Sequence, residues 1–264
     1  MFHIGTAEWA HIPFDIAAWS ASGVLGQRLY RWRLRSQLGF VARNTGGAYF
    51  AALVGGAILG AWLAGSLNSL RSPFATLSHS ILGALAGAII GVEIYKAIRG
   101  IKRSTGTIFV GPFAIGVAVG RLGCFFAGLP DFTYGTPTRL PWGVDLGDGV
   151  ARHPVQLYES LSMLLFLLVY ILALKQRRRW ATESSFYILA IWYGTQRFFW
   201  EFLKPYPSVV GPFNLFHLIC LGVVTYGALF LFRTRQEDRP LSVPWTDNQP
   251  VRNMPVAGSG QDRR

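Results

Sequence analysis

Runs of apolar residues long enough to cross a hydrocarbon core of roughly 30 Å recur along the chain. Seven are read here, at about Ile12–Leu29, Gly46–Leu67, Leu77–Ile98, Gly106–Gly128, Val155–Leu174, Ser184–Leu203 and Gly211–Phe232. A spanning segment must pair its own backbone groups, so each run predicts a helix. The expected fold is all-α: a polytopic integral membrane protein of seven transmembrane helices over residues 1–236. The first run is the weakest, being short, rich in small residues and closed by Gln27 and Arg28. No basic stretch precedes it, so it is not read as a cleaved signal peptide. From Glu237 the composition turns to Pro, Asp, Asn, Gln, Gly and Arg, and residues 237–264 are read as a disordered cytoplasmic tail.

Polar positions between the runs orient them. Arg28, Arg31, Arg33, Arg35 and Arg43 follow the first run, and Lys96, Arg99, Lys102 and Arg103 follow the third. Lys175 and Arg177–Arg179 follow the fifth, and Arg233, Arg235 and Arg239 follow the seventh. These are alternate connections, and an excess of Lys and Arg marks the cytoplasmic side. The N-terminus is therefore expected outside and the C-terminus in the cytoplasm. Arg71, Arg139, Arg152 and Lys204 fall in the outer connections. The net charge of +12 is thus explained by topology and by attraction to anionic lipid, not by nucleic acid. Composition agrees: 51% of the 264 residues are hydrophobic and 14% charged, against about a quarter charged in soluble domains. Gly56/Gly60, Gly83/Gly87/Gly91 and Gly116/Gly120 stand four apart, a spacing that allows close helix approach in membranes. Two cysteines in different runs, Cys124 and Cys220, give no disulfide framework and no metal-ligand spacing.

Chemistry is expected where charge interrupts the apolar runs. Arg121 is the only charge in Gly106–Gly128, and Arg197 and Glu201 are the only charges in Ser184–Leu203. Charges at such depth are costly and point to function. With the topology above, Arg121, Arg197 and Glu201 lie toward outer helix ends, His79 at an outer entrance, and His153, Gln156 and Glu159 at another. Each alone can be explained by packing or capping; together they form one layer supplied by four helices. His153, Gln156, Glu159 and Ser160 are spaced to share a helix face, with Pro154 in the first turn. Arg197 and Glu201 are one turn apart and can pair, as can Glu93 and Lys96 nearer the cytoplasm. Arg121 meets Ala118, Val117, Cys124 and Phe125 at one turn's distance, so its partner comes from another helix, Glu159, or from a lipid phosphate. The connection Leu129–Arg152, with Tyr134, Trp142 and several Gly and Pro, is expected to be a folded loop at headgroup level.

The same residues carry a family resemblance. His153-Pro-Val-Gln-Leu-Tyr-Glu159 closely resembles the HPxQLYE signature of bacterial prolipoprotein diacylglyceryl transferases. Gly120-Arg-Leu-Gly-Cys-Phe-Phe-Ala-Gly128 is similar to that family's GRxGNFxNGE block, and Arg197-Phe-Phe-Trp-Glu-Phe-Leu-Lys204 to its RxxxEFxR block. Ser78-His79-Ser80 falls at its HGG histidine, and Tyr134-Gly135 at its WGR-type turn. The resemblance implies transfer of a diacylglyceryl group from phosphatidylglycerol to the lipobox cysteine of a preprolipoprotein, at the outer face of the cytoplasmic membrane, with no cofactor and no metal. It implies catalytic roles for His79, Arg121, His153, Arg197 and Glu201, with His79 the first choice of base and His153 the second. It implies substrate contacts from Arg121, Cys124, Tyr134, Gly135, Gln156, Tyr158 and Glu159.

The chain departs from that pattern at several places. Cys124 stands where the family has asparagine, and Leu129 where it has glutamate, with Asp131 the nearest replacement acid. Gly55–Gly60 lacks the family's arginine, and Ser20 or Ser22 stands near the place of a tyrosine. The alternative is a non-enzymatic or altered-specificity homologue that binds phospholipid or signal peptide. A transporter would need polar groups reaching both faces, which the one-sided layer does not offer.

Overall fold

The computed structural model describes residues 2–69 and 77–237. Seven long helices appear where the seven apolar runs predict them: α1 (His11–Trp32), α3 (Gly47–Ser69), α4 (Ile81–Arg99), α5 (Val110–Ala127), α6 (Val155–Lys175), α8 (Ser185–Glu201) and α9 (Leu215–Glu237). Five are long and apolar enough to cross a membrane: Gly47–Ser69, Ile81–Arg99, Gly106–Ala127 (α5 with the 3₁₀ turn before it), Val155–Lys175 and Leu215–Thr234. The other two have visible reasons to fall short. Polar residues thin the apolar face of α1, and α8 has 17 residues, fewer than the roughly 20 that span a bilayer untilted. Two short helices, α2 (Arg35–Asn44) and α7 (Trp180–Glu183), lie within basic connections and were not expected. The tail and Arg71 lie outside the described residues, and α9 continues to Glu237.

The all-α expectation is corrected at one place. A small three-stranded sheet forms from β1 (Phe2–His3), β2 (Val144–Asp145) and β3 (Ala151–Arg152), with β1 parallel to β2 and β2 antiparallel to β3. It ties the N-terminal segment to the Leu129–Arg152 connection. Asp145 organises the turn between β2 and β3: its Oδ1 accepts from the backbone N–H of Gly147, Asp148 and Gly149 at 2.9, 3.1 and 3.0 Å, and His3 Nδ1 lies 2.9 Å from Oδ2. The Gly147 N–H first, then those of Gly149 and Asp148, hold the Asp145 carboxyl below its usual range, with His3 adding to them. The connection is therefore a folded loop, as its composition predicts.

Helix pairing follows the small residues. Helices α3 and α4 meet so closely that a Cβ on Gly56 would strike the Gly87 carbonyl, and one on Gly60 the Gly83 carbonyl. Gly91 faces the Ala52 carbonyl in the same way. Helices α1 and α5 also pair, through Gly111 against Leu29, Gly123 against Phe14, and a hydrogen bond from Ser22 Oγ to the Pro112 carbonyl at 2.8 Å. Gly116 meets Ser22, but Gly120 has open space beside it, so only half of that predicted contact is packing. Ser160 Oγ donates to the Ala118 carbonyl at 2.7 Å and joins α6 to α5. The core runs between the helices through Leu82, Val110, Met163, Tyr170, Leu189 and Tyr193. Outward faces remain apolar: Leu59, Leu63, Leu161, Leu168 and Phe232 are exposed, as a lipid-facing surface requires. Ser80 caps α4 by accepting from the Gly83 N–H, which starts that helix later than its apolar run.

Candidate active site

Four helix ends and one connection supply the polar cluster. Arg121 and Cys124 lie one turn apart near the C-terminal end of α5, with Arg121 Nη1 3.7 Å from Cys124 Sγ. Gln156 and Glu159 lie in the first turns of α6, and Arg197 and Glu201 in the last turns of α8. Asn214 and His217 come from the start of α9, and Lys204 from the turn after α8. The basic connections lie at the opposite helix ends, as the charge pattern predicts.

Glu159 is the hub. It is fully buried, with Arg121 Nε 2.5 Å from its Oε2 and both Arg197 Nη1 and Lys204 Nζ on its Oε1, the latter at 2.7 Å. Arg197 also pairs with Glu201 Oε1 at 2.7 Å, Lys204 approaches the same oxygen at 3.5 Å, and Asn214 Nδ2 donates to Glu201 Oε2 at 3.1 Å. Three cations thus face two carboxylates, a surplus of one positive charge. Burial of that many charges is tolerated only with such mutual pairing. Pairing is not complete: Arg121 Nε is close to Glu159 but not aligned to donate to it, and Arg197 Nε and Gln156 Nε2 also lack a hydrogen-bond partner. Buried donors in that condition, beside surplus positive charge, suit an anionic ligand.

A polar cavity of about 740 Å³ opens onto this cluster. Arg121, Arg197, Cys124, His79 and Tyr134 border it, together with His11 and Asp131. A second cavity, about 570 Å³, descends between α1, α3, α4 and α5 and is lined mainly by apolar groups such as Leu53, Leu85, Phe113 and Val117. Asp15, His79 and Gly120 border both, so the two meet there. The open space at Gly120 now has a use: a side chain at that position would enter the junction.

Most expected site residues converge, and some do not. Glu159 and Glu201 stand behind the arginines and hold them, and neither they nor the buried Gln156 border the polar cavity. His79 is exposed at the junction, its ring against Trp62 with centroids 6.0 Å apart, and α3 passes it at Gly65. The expectation that His153 shares a face with Gln156 and Glu159 is corrected. It precedes Pro154, which caps α6, so helical spacing does not govern its direction. Its Nδ1 lies 3.5 Å from Tyr158 Oη, Trp142 Nε1 donates to that oxygen at 2.8 Å, and Trp200 packs on Tyr158. His153 and Tyr158 therefore belong to an aromatic group beside the cavity. Gly135 packs against His153, where a Cβ would collide with its carbonyl, and the Thr136 carbonyl accepts from the His153 N–H at 3.0 Å. These contacts fasten the loop to α6. Tyr134 borders the cavity with Arg152 over its ring.

Sequence reasoning missed four participants. Lys204 was read as an outer-connection charge, although it is three residues from Glu201 and closes the block that begins at Arg197. Asn214 and His217 bond to one another and carried no charge or motif to mark them. His11 pairs with Asp131, Nε2 to Oδ1 at 2.7 Å, a contact between distant segments. His11, Cys124 and Asp131 come close enough to suggest metal ligation. The Arg121 guanidinium against the Cys124 sulfur opposes a cation there, so the trio does not fit a metal centre.

A helical bundle with five helices long and apolar enough to cross a membrane, a buried ion-pair cluster and a cavity divided into polar and apolar parts define a membrane protein with an amphiphilic cavity. The family is narrower: residues 6–233 match prolipoprotein diacylglyceryl transferase, and the chain belongs to that family. It is 31% identical over 160 residues to a phosphatidylglycerol–prolipoprotein diacylglyceryl transferase of Finegoldia magna, covering 60% of this chain and 62% of the relative. A protein of the same name from Methylobacillus flagellatus is 30% identical over 207 residues, covering 71% and 77%. Another, from Solidesulfovibrio magneticus, is 36% identical over 146 residues, covering 51% and 52%. The chain thus matches somewhat under two thirds of the length of the Finegoldia protein. No solved structure matches it.

Proposed function

We propose that this protein transfers a diacylglyceryl group from phosphatidylglycerol to the lipobox cysteine thiol of preprolipoproteins, at the outer face of the bacterial cytoplasmic membrane. The observation that carries this reading is the meeting of a polar cavity bordered by Arg121 and Arg197 with an apolar one at His79 and Gly120. An amphiphilic phosphodiester fits that division, headgroup at Arg121 and Arg197, glyceryl carbon near the junction, acyl chains below. The substrate thiolate attacks the glyceryl carbon, a C–S bond forms, the C–O bond to phosphate breaks, and glycerol phosphate leaves. Charge grows on the departing phosphate, and guanidinium groups already held in place stabilise it without reorganisation. Glu159 and Glu201 keep both arginines oriented. The membrane arrangement that goes with this is seven spans, with α1 and α8 crossing beside the five more apolar helices, the N-terminus outside and the C-terminus cytoplasmic.

The test is thioether formation. Purified protein in micelles containing phosphatidylglycerol is given a lipobox peptide, and product is read by mass with a cysteine-to-serine peptide as control. Arg121→Lys is expected to lower turnover by about 10²–10³, because an ammonium keeps the charge but loses the bidentate geometry. Unchanged turnover would make Arg121 structural. A second reading has one observation in its favour: Cys124 offers a weak donor where the family has an amide. It would be supported by lipid that binds with no product from any of several phospholipid donors.

A further inference from the structure

Deprotonation of the acceptor thiol needs a base, and of the histidines at the polar end of the bundle His11 and His79 border the polar cavity, whereas His217 is buried against Asn214 and His3 pairs with Asp145 in the loop. His153 is engaged with Tyr158 and does not border the polar cavity. His79 borders it, but among the described residues no carboxylate pairs with it. His11 differs from both. It borders the cavity, and its Nε2 lies 2.7 Å from Asp131 Oδ1. Asp131 is itself held: Thr133 Oγ1 donates to its other oxygen, and the 3₁₀ turn Leu129–Asp131 is fastened to the end of α5. A ring nitrogen that donates to a carboxylate leaves the other with the lone pair, so Nδ1 is the accepting atom. Among the described residues no group occupies Nδ1. Cys124, one turn from Arg121, stands within 4.8 Å of the pair, so the imidazole lies beside the phosphate-binding wall.

We propose that His11, oriented by Asp131, is the general base that takes the proton from the acceptor thiol. The proposal rests on the transferase reading above. The S–H proton moves to His11 Nδ1, the sulfur electron pair forms the C–S bond, and the C–O pair leaves on glycerol phosphate. The proton then passes from His11 to water. The charged and titratable groups around His11 are Asp131 from the turn after α5, Asp15 from its own helix, and Arg121 and Cys124 from α5; Glu8 borders the same cavity. His11 precedes the first span, and the hydrogen bond to Asp131 favours its protonated form over the opposing effects of burial and Arg121.

The experiment compares two acceptors in the full chain: the lipobox peptide with cysteine, and the same peptide with reduced selenocysteine, which is ionised at neutral pH without help. His11→Gln is expected to lower kcat/KM for the cysteine peptide by about 10²-fold or more. With the selenocysteine peptide the loss should shrink to a few-fold, while phosphatidylglycerol binding stays as in the unaltered protein. Asp131→Asn should lose less and move the ascending limb of the pH profile to lower pH, because it removes the carboxylate that favours the protonated ring. Equal loss of His11→Gln with both acceptors would make the residue structural and overturn the proposal. So would selenocysteine rescue of His79→Gln in place of His11→Gln, or one equivalent of zinc retained by the unaltered protein and lost in His11→Gln. If the unaltered protein gives no product with either acceptor, the transferase reading fails and takes this proposal with it.

Discussion

Glu159 is the residue on which most of the buried charge depends. Three cations share its two oxygens, so its removal strands more charge than it carries. Glu159→Gln keeps the volume but leaves Arg121, Arg197 and Lys204 with Glu201 as the remaining carboxylate of the cluster. Breaking a buried pair from one side costs about 3–5 kcal/mol. The expected outcome is a lower unfolding midpoint for the detergent-purified variant, beyond what Glu201→Gln produces. A midpoint equal to that of the unaltered protein would mean that the cluster relaxes or hydrates at no cost. Part of this arrangement was legible in the sequence. Arg197 with Glu201, and Glu93 with Lys96 (2.8 Å), pair across one helical turn, and helix periodicity alone predicts both. Arg121 lacked an acid on its own helix, which pointed to another helix, with Glu159 the candidate, or to a lipid phosphate. His11–Asp131 and the Lys204 contacts were not legible, because no local period links those segments.

At the scale of elements, the α3–α4 contact and the folded loop make separate predictions. Gly87 sits where a Cβ would meet the Gly56 carbonyl, and backbone cannot give way as a side chain tip can. Gly87→Leu should separate the two helices, with an overpacking cost of about 1–3 kcal/mol or more, read as a fall in thermal midpoint. Because α3 and α4 also line the apolar cavity, lipid binding should weaken with it. If the variant matches the unaltered protein in both measurements, the helices do not approach as described. In the loop, the Asp145 carboxyl is held below its usual range by backbone N–H groups, so its stabilisation is present above the unfolded value near 3.8. It is lost as pH falls from there through the lower folded value. Trp142 fluorescence should therefore report loop loosening in acid below about pH 4, and Asp145→Asn should loosen the loop already at neutral pH. A pH-independent signal from the unaltered loop would contradict this. Composition predicts a folded loop here, but not the strand that Phe2–His3 adds to it, since two-residue strands have no periodicity to read.

For the whole molecule, orientation is the quantity that everything else assumes. Basic residues collect at the helix ends opposite the Glu159 cluster, and the proposed cytoplasmic side rests on that asymmetry. Single cysteines introduced into a Cys-free background should be labelled from outside in the Leu129–Arg152 loop and from inside at Arg177–Arg179. Labelling of both loops from one side would remove the seven-span arrangement and, with it, the outer-leaflet site. The exposed apolar faces of α3, α6 and α9 fit the same arrangement, since in water they would form patches far larger than a soluble monomer carries.

Sequence alone determined what depends on neighbours within a few turns. Helix positions followed from apolar run length, close helix contacts from glycine spacing, and intrahelical ion pairs from the 3.6-residue period. Topology and charge depth placed polar residues of four helices in one layer. Tertiary structure decided how they meet: that Glu159 serves Arg121, Arg197 and Lys204 at once, that His153 turns to Tyr158 instead of the cavity, and that His11 meets Asp131. Those outcomes depend on how helices rotate against one another and on where connections fold back. Rotation is set by packing summed over many side chains, which no short stretch of sequence encodes.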